Sequence, residues 1–329
     1  MTTPRARSVF LGSLPVLALV VGVVAFPLVF RNNYVQSVGA TIGLYSLVAL
    51  GLCLLIGYAG QVSLGHAAFY GLGAYSSAVL TTRLHWDPWL AMLVGAVLTG
   101  AVAWLVGRPT LRLHGHHLAM ATLGFGIIMQ IVFIEGDELT GGFGGITSIP
   151  PLRIGGLSIT GDVRNFYAIW AVVVLCVMAS RCLVDSRVGR ALRAIHDSET
   201  AAAACGVDVS TYKVQVFVLS AVFASVAGSL YAHYITFVSP DPFSLAFSIQ
   251  MLVIVIVGGS RNVWGALLGA ALMTALAQQI EKTDAIKDLS DVAYGLVLVL
   301  FIVFMPAGLA GALSKGLARV RAQRADENA

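Results

Sequence analysis

The sequence predicts an all-α, polytopic transmembrane helical bundle of about ten spans, within a range of eight to ten, with both ends cytoplasmic. Three observations carry that expectation. Charged residues make up 11% of the 329-residue chain and hydrophobic residues 58%, against roughly 25% charged in a soluble domain. Apolar runs of about 18 residues or more recur along the chain, each long enough to cross about 30 Å of hydrocarbon. The basic residues divide unevenly between alternate connections. The alternating ten-residue segments of a membrane β-barrel are not seen.

Taken in order, the spans fall near residues 9–30, 36–57, 62–82, 88–106, 118–134, 166–184, 214–237, 246–259, 263–280 and 291–313. The first follows Arg5 and Arg7 like a signal peptide. Its apolar run, Val9 to Phe30, is longer than a signal core and reads as a retained helix. Spans 62–82 and 246–259 are the weak or short ones, and dropping both gives the eight-span alternative. With the N-terminus inside, the inner connections hold Arg5, Arg7, Arg108, Arg112, Arg181, Arg187, Arg190, Arg193, Lys213, Arg261, Lys315, Arg319, Arg321 and Arg324. The outer ones hold Arg31, Arg83, Arg153, Arg164, Lys282 and Lys287. That is fourteen against six of the 20 basic residues, as positive-inside orientation requires. Asp87-Pro88 and Asp241-Pro242 read as helix starts, with proline near the first turn.

Three stretches ask for more than lipid contact. "GYAGQVSLGHAAF", Gly57 to Phe69, interrupts hydrocarbon with three glycines and with Gln61, Ser63 and His66. Irregular backbone at membrane depth needs protein or water around it, so these side chains are candidates to line a polar solute path. The alternative is a short interfacial loop meeting headgroups and water. Gln130 and Gln250 are assigned to the same path. The second stretch, Asp185 to Lys213, is the largest inner loop. It carries helix-forming Ala201 to Ala204, a capping Gly206, an apolar face of Leu192 and Ile195, and three arginines on one side. The third, Val253 to Met273, breaks at Gly258-Gly259 and continues with Gly265 and Gly269. Their G-x-x-x-G spacing favours close helix packing, as does that of Gly39 and Gly43.

Chemistry-bearing patterns are sparse. None of the four lysines follows a glycine, so a phosphate-cradling G-x-x-x-x-G-K-[ST] loop is not present. No catalytic cluster stands out, and Cys53, Cys176, Cys182 and Cys205 read as small apolar helix residues. His114, His116 and His117 read as a polar loop end, with no metal site expected. The spans hold almost no ionisable residue at mid-depth, where an ion-coupled carrier needs one.

"GYAGQVSLGHAAFYGLGAY", "RALRAIHDSETAAAACGVDV" with the "KVQVFVLSAVFASVAGSLYA" that follows, and "VGGSRNVWGALLGA" together resemble the membrane permease subunits of bacterial branched-chain amino acid ABC importers, nearest the M-type. The resemblance covers roughly residues 35 to 310, and the three signatures stand in the family's order. It implies a single permease domain over 1–329, with a cytoplasmic coupling loop at 185–213 and a basic cytoplasmic tail at 314–329. It also implies a multi-pass protein of the bacterial inner membrane that is not an enzyme and binds no cofactor itself. The implied partners are a second homologous permease, two cytoplasmic subunits that use the ATP, an extracytoplasmic solute-binding protein and membrane lipid, with no nucleic acid.

In that frame Arg190, Leu192, Arg193, Ile195, Glu199 and Gly206 form the ATPase-coupling element, an Arg190–Cys205 helix whose Leu192 and Ile195 enter a cleft on the ATPase. Glu135, Asp137 and Glu138, on the longest outer loop, face the binding protein. The E-A-A-x-x-x-G pattern of import permeases is changed here: Thr200 follows Glu199, and Gly206 comes one residue late. Ser260-Arg261-Asn262 likewise replaces the usual Gly/Thr-rich continuation of the G-G motif. Related permeases handle urea, short amides or aromatic acids, and a stand-alone secondary carrier or channel is the alternative of another class.

Overall fold

The computed structural model describes residues 4–111, 115–154 and 157–282 and, beyond them, 295, 308, 309 and 311. The expected span 291–313 and the tail 314–329 therefore lie outside the described residues, except for Gly295, Gly308, Leu309 and Gly311.

Helix α1 is Pro4–Val29, and α2, Asn33–Leu52, runs on through a π-helical turn at Cys53–Tyr58. After an irregular segment come α3, His66–Arg83, α4, Pro88–Thr110, and α5, His116–Glu135. A short α6, Asp137–Thr140, leads to a two-residue antiparallel ladder, β1 (Arg153–Ile154) with β2 (Leu157–Ser158), and to α7, Asp162–Asp185. Two short helices follow, α8 (Arg187–Asp197) and α9 (Glu199–Ala204), then α10 (Val209–Ile235), α11 (Leu245–Gly258) and α12 (Val263–Lys282). Among the described residues the fold is helical apart from that ladder and one isolated bridge, Ile146 with Val238.

Six helical stretches are long and apolar enough to cross a membrane: Asn33–Tyr58, Pro88–Thr110, His116–Glu135, Asp162–Asp185, Val209–Ile235 and Val263–Ile280. Pro15–Val29 and Leu245–Gly258 are apolar but shorter. Several expected boundaries shift by four or five residues, and two of these corrections have a clear local cause. Residues 62–65 are not helical, so α3 begins only at His66. Helix α10 begins at Val209, ahead of the expected 214, because Asp208 caps it through its side chain to the Thr211 amide. Asp87 caps α4 in the same way, with Pro88 at the first helical position. Asp241-Pro242 instead opens a 3₁₀ turn, Asp241–Phe243, ahead of α11.

Helix α10 is central and packs on α2, α3 and α4. Its crossing with α3 is close because each helix offers glycine to the other's backbone. A Cβ on Gly73 would collide with the Ser225 carbonyl, and one on Gly228 with the Tyr70 carbonyl. Ser229 Oγ donates to the Gly73 carbonyl at 2.9 Å across the same crossing. The G-x-x-x-G pairs act as expected. Gly39 and Gly43 face Phe166 and Ile169 of α7, and Gly265 and Gly269 fold α12 back onto Gly258 of α11.

Connections gather at two ends of the bundle. At one, Ile146 pairs with Val238, the Trp89 indole donates to the Arg153 carbonyl at 2.7 Å, and His233 meets the Pro150 carbonyl at 2.7 Å. At the other lie the 59–65 segment, the α7–α10 loop and the α11–α12 break. There Arg108 covers the Trp104 ring at 4.9 Å and Arg181 the Trp264 ring at 5.9 Å, a placement that lets a long cationic side chain reach water from a helix end.

Candidate functional site

The π turn of α2 begins the first site. Cys53 Sγ donates to the Ser260 carbonyl at 3.0 Å and the Tyr58 hydroxyl to the Arg261 carbonyl at 3.1 Å, which locks α2 onto the α11–α12 break. Gly57 allows it, because a Cβ there would overlap the Ser260 carbonyl. Gly60, at φ +67°, takes a left-handed conformation that turns the chain back, and its open side rests on His196 of α8.

The chain then re-enters the bundle without helical bonding, and neighbouring helices supply partners. The Leu64 amide donates to Thr122 Oγ1 of α5 at 3.1 Å, and the Ala67 amide to Ser248 Oγ of α11 at 2.9 Å. His66 is fully buried, with Nδ1 at 3.1 Å from Ser63 Oγ and Nε2 at 2.6 Å from Ser220 Oγ of α10. At 1.5 Å per residue Ser220 stands about 16 Å along α10 from its start, so His66 opens α3 deep in the bundle. Protein covers the inner part of this irregular backbone, from Ser63 to His66, as its depth demands, while Gly60 and Val62 stay exposed nearer the bundle end. Ser63 Oγ is engaged within the segment by His66 and the Gly65 amide, and His66 alone of the two reaches a neighbouring helix, so both are held by protein groups and not by headgroups. Gln61 differs. It is 4% exposed, and neither its Oε1 nor its Nε2 has a hydrogen-bond partner. Gln130 and Gln250 are half-buried on α5 and α11 and make no hydrogen bond to the Ser63–His66 pair.

The second site is the loop between α7 and α10. Ser186 caps α8, accepting from the Val188 amide at 3.1 Å. Gly189 turns α8 tightly under α7, where a Cβ would meet the Val184 carbonyl. Extended Ser198 ends α8 and caps α9 through the Ala201 amide at 3.3 Å, so the single Arg190–Cys205 helix expected from sequence is two helices. Gly206, at φ +82°, closes α9 as its spacing indicated, with the Val207 amide on the Ala202 carbonyl.

Helix α8 is amphipathic and its apolar side is already taken. Leu192 is 1% and Ile195 2% exposed, inside this chain's own packing of α8 on α7, α10 and the π turn. The expectation that both enter a partner's cleft is therefore corrected. They seat the helix, because an apolar stripe at the end of its own bundle is buried at once. Arg187, Arg190, Arg193, Ala194 and Asp197 face outward on α8, as do Ala201, Ala203 and Ala204 on α9. Arg193 also folds back to the Val184 carbonyl at 3.1 Å, and Arg261 pairs with exposed Asp197 at 3.8 Å, an interaction of little weight in water. Glu199 turns to Lys213 of α10, at 2.5 Å. Asp208 has its carboxyl held below the usual range, first by the Thr211 hydroxyl and then by the Thr211 amide. Among the described residues no group of three or more His, Cys, Asp or Glu could hold a metal ion.

At the other end Glu135, Asp137 and Glu138 are exposed, with Leu139 and Phe143 exposed beside them. Their loop is fixed in place. Buried Thr140 donates to the Phe133 carbonyl at 2.8 Å, and Ile149 and Leu152 are buried beneath it.

A family model described as the permease component of the branched-chain amino acid transport system matches residues 34–303, the span that holds both sites. The chain belongs to that family. It is similar to the high-affinity branched-chain amino acid transport system permease protein LivM of Salmonella typhimurium, 31% identical over 316 residues, which cover 89% of this chain and 73% of that protein. The LivM of Escherichia coli matches with the same identity and coverage. The second permease type, LivH of Escherichia coli, is 27% identical over 291 residues, covering 83% of this chain and 93% of that protein. No solved structure matches. Membership of this permease family, with six helices long and apolar enough to cross, makes the chain a multi-pass membrane protein.

Sequence reasoning found the broken segment and the loop but missed Thr122, Ser220, Ser248 and Lys213, which partner them. For Thr122, Ser220 and Ser248 the signal was present as single polar residues inside apolar spans, a pattern that in membranes marks contacts between helices, whereas Lys213 stood just ahead of an expected span and read only as an inner-loop charge.

Proposed function

We propose that this chain is the M-type transmembrane subunit of an ATP-driven ABC importer in the bacterial inner membrane, forming half of the path for branched-chain or related amino acids. Carrying most weight is the basic outward face of α8, on a helix that its own apolar side holds rigidly to the bundle, in a chain of this family. A helix fixed in this way can pass a push from a bound subunit into the membrane. Positive-inside orientation puts this Arg-rich end in the cytoplasm. With the span expected from sequence at 291–313 added, that orientation gives ten crossings and both termini inside.

The remaining roles follow from that orientation. Two ATP-binding subunits dock on the α8–α9 face, with Arg190 and Arg193 at its rim. A second, homologous permease completes the path. The exposed acids Glu135, Asp137 and Glu138, beside apolar Leu139 and Phe143, receive the solute-binding protein on the outer side. Gln61, whose amide has no protein partner, supports a path position better than Ser63 or His66 does. Gln130 and Gln250, half-buried, are weaker members of it.

The test is to co-express the chain with its neighbouring genes, purify it and measure uptake in proteoliposomes. ATP-dependent uptake of leucine, isoleucine or valine, needing the co-purified ATP-binding subunits, is expected. Uptake by the lone chain without ATP would overturn the proposal in favour of a secondary carrier.

A further inference from the structure

Lys213 carries the one ammonium that the structure buries among its described residues. Its side chain is 4% exposed, at the start of the second turn of α10, and its Nζ lies 2.5 Å from Glu199 Oε1 of α9. A buried charge persists only when paired, so the two ends of this bond are not free to part. Glu199 is 38% exposed and reaches inward from the outward-facing helix. A cleft of about 380 Å³ opens beside the pair, lined also by Leu111, Thr200, Ala203 and Val209.

Along α10 the same face continues from Lys213 through Phe217 to Ser220, at helical spacing. Phe217 packs edge-on against Phe69 with ring centroids 5.5 Å apart, and a Cβ on Gly107 would press on its ring. Ser220 then holds His66 Nε2 at 2.6 Å. One stiff helix face thus joins the cytoplasmic loop to the deep start of α3.

We propose that the Glu199–Lys213 ion pair is the joint by which movement of α9 reaches α10 and, through Phe217 and Ser220, the His66 segment. Both are positioning residues for transport, and the Glu199 carboxylate serves this chain instead of the ATP-binding subunit. This rests on the proposed importer function, and the unmutated complex separates the two. If the unmutated chain retains no ATP-binding subunits, the importer reading fails.

The test uses the whole complex in proteoliposomes, with Glu199→Gln, Lys213→Met and Lys213→Arg. Retention of the ATP-binding subunits, ATP hydrolysis and uptake are measured together. The expected result is normal retention for all three. Solute moved per ATP should fall about fivefold or more in Glu199→Gln and Lys213→Met, and stay near the unmutated value in Lys213→Arg. Uptake per ATP within about twofold of the unmutated complex in either neutralised variant would overturn the proposal. So would loss of the ATP-binding subunits in both, which would make the pair a support for the fold or docking face alone.

Discussion

The 57–69 segment and the 185–213 loop are both short breaks between long helices, and they bury opposite chemistry. In the first, deep in the bundle, polar groups turn inward: His66 to Ser220, the Leu64 amide to Thr122, the Ala67 amide to Ser248. In the second, at the bundle's basic end, Leu192 and Ile195 turn inward and the arginines turn out. Depth decides the difference. Hydrocarbon offers a polar group no partner, so the protein supplies one; water rejects an apolar stripe, so the protein covers it. What each break leaves outside its own bonding is then informative: an unpartnered Gln61 amide in one, a basic helix face in the other.

The largest expected effect breaks the second half of this contrast. Ile195→Asp puts a carboxylate into the chain's own packing, at a cost of about 3 kcal/mol or more. The variant should melt well below the unmutated chain in detergent, with no ATP-binding subunit present. An unchanged melting temperature would mean that Ile195 faces outward, as the sequence alone suggested. A smaller loss should follow Ser220→Ala, which leaves one His66 nitrogen buried without a partner and costs about 1–3 kcal/mol. Thermal unfolding reads that effect too, and no loss would mean that water reaches His66.

The smallest shift is the sharpest. Replacing Gln61 with leucine removes two buried polar atoms that have no partner, so stability should rise by about 1 kcal/mol. Uptake should fall nonetheless if the amide serves the solute path. Higher stability with normal uptake would take Gln61 off that path, and lower stability would show that the amide has a partner after all.

The sequence made the breaks themselves legible. Gly57, Gly60 and Gly65 marked the first, and Ala201 to Gly206 marked α9 with its stop. Direction was not legible. Leu192 and Ile195 defined an apolar face correctly, but an apolar face fits its own bundle and a partner's groove equally well. His66 stood out as a polar residue in hydrocarbon, yet its partner Ser220 is 154 positions away and belongs to a helix whose packing no local pattern reveals. Ser198 escaped notice because a serine can sit within a helix or end one, and only its backbone conformation shows that it does the latter. The acids of the 135–156 loop were found from their charge, whereas its anchoring through Thr140, Ile149 and the Val238 bridge depends on residues distant in the chain.

One measurement reaches most directly the claim that the outward face of α8 and α9 receives the ATP-binding subunits. Cys205 is exposed at the end of α9, whereas Cys53 is buried and Cys176 half-buried. In a Cys182→Ser background, a charged, water-soluble maleimide therefore reports on Cys205. Its labelling rate is compared in the lone chain and in the purified complex. Rapid labelling of the lone chain with strong protection in the complex is the expected result; equal rates in the two would contradict docking on this face.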